Sequence, residues 1–211
     1  MRVVTTGWRY GLAPLLLAPP VTLVSPPIGL GLFALGLGVL WFFRDPIRSP
    51  PNTGIISPAD GQVSLIREED DRVRVGVFMN VTDVHVNRSP IAGPVTKRTH
   101  RPGAHRPAFS KDSDRNERVD MRIEGPEHTV DVSLIAGAFA RRISPYVREG
   151  DILARGQRIG HIAFGSRADV LLPPAIDVDD VAVAVGERVR AGESQLVTPE
   201  AIDRPETNTE R

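Results

Sequence analysis

Between Gly11 and Phe43 the chain carries no charged side chain, and beyond Pro51 apolar and polar residues alternate in short runs. The first pattern predicts apolar helix and the second half-buried strand. Pro14, Pro19, Pro20, Pro26 and Pro27 cut the apolar run into two pieces. Each is shorter than the roughly 20 residues a membrane-spanning helix needs. The better-formed piece, Ile28 to Phe43, ends in Leu40-Trp41-Phe42-Phe43-Arg44, where aromatics meet a basic residue as they do at a bilayer interface. Arg2 and Arg9 flank the other end. Basic residues on both sides predict that residues 1–45 form a helical, apolar hairpin, re-entrant or in-plane, that anchors the chain to the cytoplasmic face of the cell membrane. A cleaved secretory leader matches the charged start but not the prolines or the bulky aromatic exit. A buried apolar helix is the remaining alternative.

After the stiff connector Arg44 to Pro51, the segments Gly54–Gly61, Val73–Phe78, Arg118–Ile123 and Thr129–Ile135 alternate as antiparallel strands do. Two further segments, Val147 to Ile162 and Val181 to Gly192, echo one another as glycine turn, strand, glycine turn. The fold class expected is therefore mainly β: a compact antiparallel sandwich or barrel-like domain over residues 46–198, with the N-terminal apolar helical anchor before it and a polar, flexible tail over residues 199–211. A chain of 211 residues accommodates one such domain plus an appendage.

Composition narrows the chemistry. The 26 basic and 26 acidic side chains cancel, and no aromatic-basic interleaving is present, so a nucleic-acid partner is not expected. The absence of cysteine removes disulfides, thiol nucleophiles and thiolate metal sites together. The five histidines are scattered, with no metal-ligand spacing, and no metal is expected.

Taken singly, the candidate residues have ordinary readings. Gly165-Ser166 is a common turn dipeptide, and Asp60 before Gly61 suits a tight turn. His85 and His161 read as strand residues, with His161 exposed and its side chain carried away from Ser166 by the intervening strand. His128 reads as a turn residue. His100 and His105 sit in the basic stretch Lys97 to Pro107, a surface loop that beside a membrane anchor would meet anionic headgroups. Asn116 and Glu117 read as a bulge or surface turn, or as a brace for a site.

Order changes these readings. Phe42-Phe43-Arg44-Asp45-Pro46, Ser57-Pro58-Ala59-Asp60-Gly61, Asp83-Val84-His85-Val86-Asn87-Arg88-Ser89-Pro90, Arg115-Asn116-Glu117-Arg118-Val119 and Gly160 through Gly165-Ser166-Arg167 follow one another along residues 40–174. In that order they resemble the phosphatidylserine decarboxylases, most closely the short subgroup that includes archaetidylserine decarboxylases. The resemblance implies a pyruvoyl-dependent proenzyme. The Ser166 hydroxyl would attack the Gly165 carbonyl, and elimination from the resulting ester would leave a β chain of residues 1–165 and an α chain of residues 166–211 that opens on a pyruvoyl group. That group, a covalent pyruvate cofactor, would form a Schiff base with the amine of an anionic serine phospholipid and accept the electrons released with carbon dioxide, yielding an ethanolamine lipid.

Within this resemblance Asp60 matches the aspartate that supports the cleavage base, and His85 matches the histidine associated with decarboxylation. The family's second histidine is replaced by Arg88, which cannot act as a general base and is expected instead to bind lipid phosphate or the serine carboxylate. Three repairs are open: His85 serves both steps, a distant histidine such as His100, His105 or His161 moves in, or Asp60 acts more directly; His85 with Asp60 is preferred. Two rivals leave the chain uncut: a membrane-anchored biotinyl or lipoyl-like β adaptor without catalysis, and a serine hydrolase using Ser166, His85 and Asp60.

Overall fold

The computed structural model describes residues 2–103, 116–137, 143–163 and 166–202. The chain divides into two compact units. The smaller comprises residues 1–47 together with Thr82–His85, and the larger comprises the rest.

In the smaller unit, α1 (Thr5–Val24) and α2 (Pro26–Phe42) form an antiparallel pair, and β1 (Arg2–Val3) pairs with β2 (Arg44–Asp45). Gly11 lies against Leu40 and Gly36 against Leu15, where small residues let the helices approach closely. The expected break falls at one place only. Ser25 is extended (φ −145°, ψ 94°), and Pro26 and Pro27 open α2, where a missing N–H costs nothing. Pro14, Pro19 and Pro20 lie inside α1 and do not divide it, contrary to the proline reading of the sequence. No described helix is long and apolar enough to cross a membrane.

The larger unit is mainly β, as expected, with all of its strand pairs antiparallel. Its eight-stranded sheet curls into a half-barrel. The strands run in the order β11 (Ile152–Leu153), β7 (Gly93–Arg101), β8 (Arg118–Glu124), β9 (Thr129–Ile135), β13 (Ser166–Leu171), β5 (Arg72–Met79), β4 (Gly61–Glu69) and β14 (Arg188–Val189). Two small sheets complete the unit: β10 (Ile143–Pro145), β12 (Arg158–Ile162) and β6 (Val86–Arg88), and the pair β15 (Gln195–Val197) with β3 (Ile55–Ile56). Alternation decides the faces. Val73, Val75, Val77 and Met79 of β5, with Val130, Val132 and Leu134 of β9, are buried and join Ile159 and Ile162 of β12 and Ile55 and Leu196 of the smallest sheet in one core. The other face of the large sheet is ionic. Arg72 and Arg122 both hold Asp131, and Arg101 and Arg118 both hold Asp120.

The basic stretch expected as a loop is strand for its first half: Lys97–Arg101 end β7, paired with β8, because alternating outward charges suit an ionic sheet face. His105 lies outside the described residues.

Gly61 has φ +147°, and a Cβ there would strike the Phe78 carbonyl oxygen; Gly150 has φ +93° with open space around it. Gly61→Ala is therefore expected to destabilise the protein by at least about 2 kcal/mol and Gly150→Ala by only about 1 kcal/mol. Urea unfolding of the two variants measures the difference, and equal losses would show that the close approach at Gly61 is not a constraint.

Candidate functional site

Ser166 is the first residue of an interior strand. It lies opposite Met79 of β5, and from Arg167 onward β13 is bonded on both sides, to β5 and to β9. Its side chain points to the apolar face and is fully buried, with Oγ 3.9 Å from the Met79 sulfur. Gly165 lies outside the described residues.

Asn87, also fully buried, reaches the same sulfur from β6: Nδ2 is 3.6 Å from Met79 Sδ and 3.5 Å from the Pro58 carbonyl oxygen, while Oδ1 is enclosed and accepts no hydrogen bond among the described residues. A fully buried amide left half-satisfied is uncommon and costly. No local signal in the sequence marks Asn87, since only the fold shows that its strand abuts Met79.

Pro58 belongs to the turn Ser57-Pro58-Ala59-Asp60-Gly61, in which Ser57 Oγ donates to the Ala59 carbonyl at 2.8 Å. Asp60 is both a turn residue before a positive-φ glycine and an ion-pair partner. Its Oδ1 accepts from Arg48 Nη2 at 2.9 Å and from the Ala191 amide at 2.8 Å, and its Oδ2 accepts from Arg48 Nη2 at 2.7 Å. Arg48 Nη1 extends the network to Glu193 at 2.9 Å. These bonds fix the carboxylate's orientation from two separate chain segments.

Arg88 is buried, and its Nη1 donates to the Gly156 carbonyl at 3.0 Å. A Cβ at Gly192 would come within 2.8 Å of its Cδ, and the Gly192 Cβ position is 3.7 Å from the Gly156 Cα. The two glycine turns that echo each other in the sequence thus meet around this side chain. The missing Cβ at Gly192 makes room for the Arg88 stem, and the missing Cβ at Gly156 makes room for Pro50.

His85 is placed in the smaller unit. It is buried, its ring centroid is 4.5 Å from that of Phe42, and Nδ1 is 3.0 Å from the Asp83 carbonyl oxygen. A carbonyl only accepts, so Nδ1 carries the proton in the neutral ring and Nε2 is the basic nitrogen. Arg44 ties this segment to the end of α2, donating to the Thr82 carbonyl at 2.6 Å and the Trp41 carbonyl at 3.0 Å, with its guanidinium 4.1 Å from the Trp41 ring centroid.

The other histidines sort differently. His161 is on a strand as expected but is buried rather than exposed, because β12 lies between β10 and β6; its Nδ1 is 2.8 Å from Tyr146 Oη, and burial pushes its pKa down to about 4. His100 is exposed on β7 and pairs with Glu117 at 3.0 Å. His128 stands in the turn between β8 and β9. Asn116 is a brace: its Nδ2 donates to the Ala136 carbonyl at 2.8 Å just beyond β9, and the Ala136 amide donates to the Glu117 carbonyl at 2.9 Å. No group of three metal-ligating side chains occurs among the described residues.

The family model described as Phosphatidylserine decarboxylase matches residues 35–197. A Halobacterium salinarum protein assigned by name as an archaetidylserine decarboxylase proenzyme is 60% identical over 190 residues, covering 90% of this chain and 95% of its own length. A phosphatidylserine decarboxylase proenzyme of Thermobifida fusca is 52% identical over 164 residues, 77% of this chain and 74% of the relative.

The His161 shift has a definite sign. The folded pKa of about 4 lies below the ordinary value of 6.5, so the unfolded chain binds the proton first and stability is lost as pH falls between those values. The loss expected is on the order of 3 kcal/mol. His161→Gln, which keeps an acceptor for Tyr146 and does not titrate, should flatten the stability profile in that window; an unchanged slope in chemical unfolding across pH would refute the assignment.

Proposed function

Because the chain belongs to the phosphatidylserine decarboxylase family, we propose that it is a membrane-associated proenzyme that cuts itself between Gly165 and Ser166 and then decarboxylates the serine headgroup of a phosphatidylserine- or archaetidylserine-type lipid to the ethanolamine lipid. The supporting observation is the place of Ser166: the first residue of a strand held on both sides in the middle of a sheet. Relatives named for either lipid match the chain closely, and what the two lipids share is the serine headgroup.

The residues present fit a pyruvoyl group at position 166. The Met79 sulfur and the Asn87 amide line the position, and Asn87 Nδ2 is a donor of the kind a carbonyl accepts from. Bound there, a pyruvoyl group supplies the carbonyl that takes up the substrate amine and the electrons released with carbon dioxide. The fragments would stay together without a covalent link. Residues 166–211 supply β13, β14 and β15, and each pairs with strands of residues 1–165.

His85 is the proton donor in this reading. A buried ring with Nδ1 committed to a backbone carbonyl presents Nε2 in a fixed orientation, as general acid–base catalysis requires. In the same reading Nε2 also takes the Ser166 proton during cleavage, with the ring oriented by the Asp83 carbonyl; Asp60, whose carboxylate is engaged by Arg48 and the Ala191 amide, supports that step through its charge. Arg88 contributes positive charge from a stem held between two glycine turns, and the lipid phosphate or serine carboxylate is its ligand.

The helical pair is the anchor. Leu16, Leu23, Val24, Ile28, Leu30 and Leu35 are exposed on it, so its apolar surface faces outward rather than into a core. α1, at 20 residues and about 30 Å, is longer than the sequence reading expected, but α2, at 17 residues and about 26 Å, falls short of the roughly 30 Å hydrocarbon thickness, which supports a re-entrant pair over a double span. Arg2, Arg9 and Arg44 support a hairpin whose two ends return to the cytoplasmic headgroups.

Intact mass spectrometry of the purified protein tests the reading. Two fragments are expected, the smaller starting at position 166 with a blocked, borohydride-reducible terminus; an active, full-length chain would overturn it. Ser166→Ala should abolish both cutting and lipid decarboxylation. His85→Ala should lower turnover by at least about 100-fold, and cleavage that stops with it would support the dual role of His85.

A further inference from the structure

Beside Ser166, on the opposite face of β13, lies an ion pair that the chemistry above does not use. Arg167 Nε donates to Asp169 Oδ1 at 2.7 Å and Nη2 donates to Oδ2 at 2.9 Å, with only 5% and 1% of the two side chains exposed. Asp169 lies opposite Gly76 of β5, where a Cβ would come within 2.9 Å of Oδ1. The absence of a side chain there is what makes room for the carboxylate. Arg74 Nη1 stands 3.6 Å from Oδ2, and the same guanidinium donates to Glu69 through Nη2 at 2.6 Å and Nε at 2.7 Å.

Such a pair is poor at stabilising a fold, since two apolar side chains of similar volume do as well or better. It is well suited to fixing register. The buried face of β13 presents Ser166, Ala168 and Val170, small residues spaced two apart, against Met79, Val77 and Val75. A slip of two residues keeps every side chain on its own face, so the core alone opposes it weakly. On the outer face the same slip would drive Asp169 off Gly76 and onto Phe78 or Arg74. In an uncut chain the residues preceding Ser166 also restrain the strand. In a cut chain they do not.

Resting on the cleavage reading above, we propose that Arg167 and Asp169 are positioning residues that lock the register of β13 once position 166 has become a chain end, and so keep the reactive group opposite Met79. They touch neither substrate nor cofactor, because alternation turns them away from the face that carries Ser166.

The test is the double variant Arg167→Met/Asp169→Leu, which removes both charges and leaves neither stranded. Hydrogen exchange of the amides of residues 168–171 is compared in two backgrounds: the self-cut protein and the uncut Ser166→Ala chain. Exchange should quicken at least about tenfold in the cut protein and change by less than about threefold in the uncut one. In the cut protein kcat should fall roughly 10- to 100-fold with KM little altered, as expected when a reacting group is held out of place rather than unbound. A merely structural pair would shift exchange equally in both backgrounds and leave the ratio of kcat to KM unmoved; that result overturns the proposal. If the double variant does not fold, Asp169→Asn, which keeps the side-chain shape and removes the ion pair, carries the same comparison. A wild-type chain found whole by intact mass overturns this proposal and the cleavage reading together, whereas a cut double variant with wild-type exchange and kcat overturns the register lock alone.

Discussion

Strand β13 is interior to its sheet from its first residues, with β5 on one side and β9 on the other, and the rest of the larger unit is arranged around that fact. A strand so placed has its backbone groups answered on both edges and stays in the sheet without covalent continuation, while its register depends on what its outer face holds. Its two faces are built from different physics. The inner face contributes Ala168 and Val170 to the hydrophobic core and carries Ser166 among them, while the outer face carries Arg167 and Asp169 into an ionic layer shared with Arg74 and Glu69. A serine at the mouth of such a strand is held more firmly than one in a loop, which is the property that a group formed from the chain itself requires.

Elsewhere in the larger unit, the polar side chains are oriented by segments far apart in sequence. Asp60 is held by Arg48 and Ala191, and Arg88 by the turn at Gly156 with the turn at Gly192 beside it. Gly192 also donates its amide to Ser57, so the Ser57–Gly61 turn, Arg88 and the final strands form one connected network. Residues from after position 166 thereby buttress residues that precede it, and fragments made by a cut at that bond would still complete one another's structure.

Much of the framework was legible in the sequence because alternation reports burial directly. The runs at Val73–Phe78, Arg118–Ile123 and Thr129–Ile135 fall within β5, β8 and β9. The apolar N-terminal run resolves into two helices as the hydropathy required, but prolines inside a run without charge proved a poor guide to where it breaks: Pro14, Pro19 and Pro20 are carried within α1, and only Ser25 before the Pro26-Pro27 pair interrupts it. What could not be read was pairing between distant segments. Nothing local to His161 foretells burial between β10 and β6, and nothing local to Arg88 foretells two glycine turns closing on it. The Arg167-x-Asp169 pair did leave a signal: opposite charges two apart within an apolar strand, hence on one face, next to the candidate serine.

The central claim is that residue 166 itself becomes the reactive group, and chemical trapping examines it most directly. The purified, cut protein is turned over with a serine phospholipid in the presence of cyanoborohydride, and the fragments are mapped by mass spectrometry. The account predicts the headgroup amine attached at position 166 of the smaller fragment, and no attachment in Ser166→Ala. Turnover with that terminus unmodified, or attachment at a lysine instead, would contradict it.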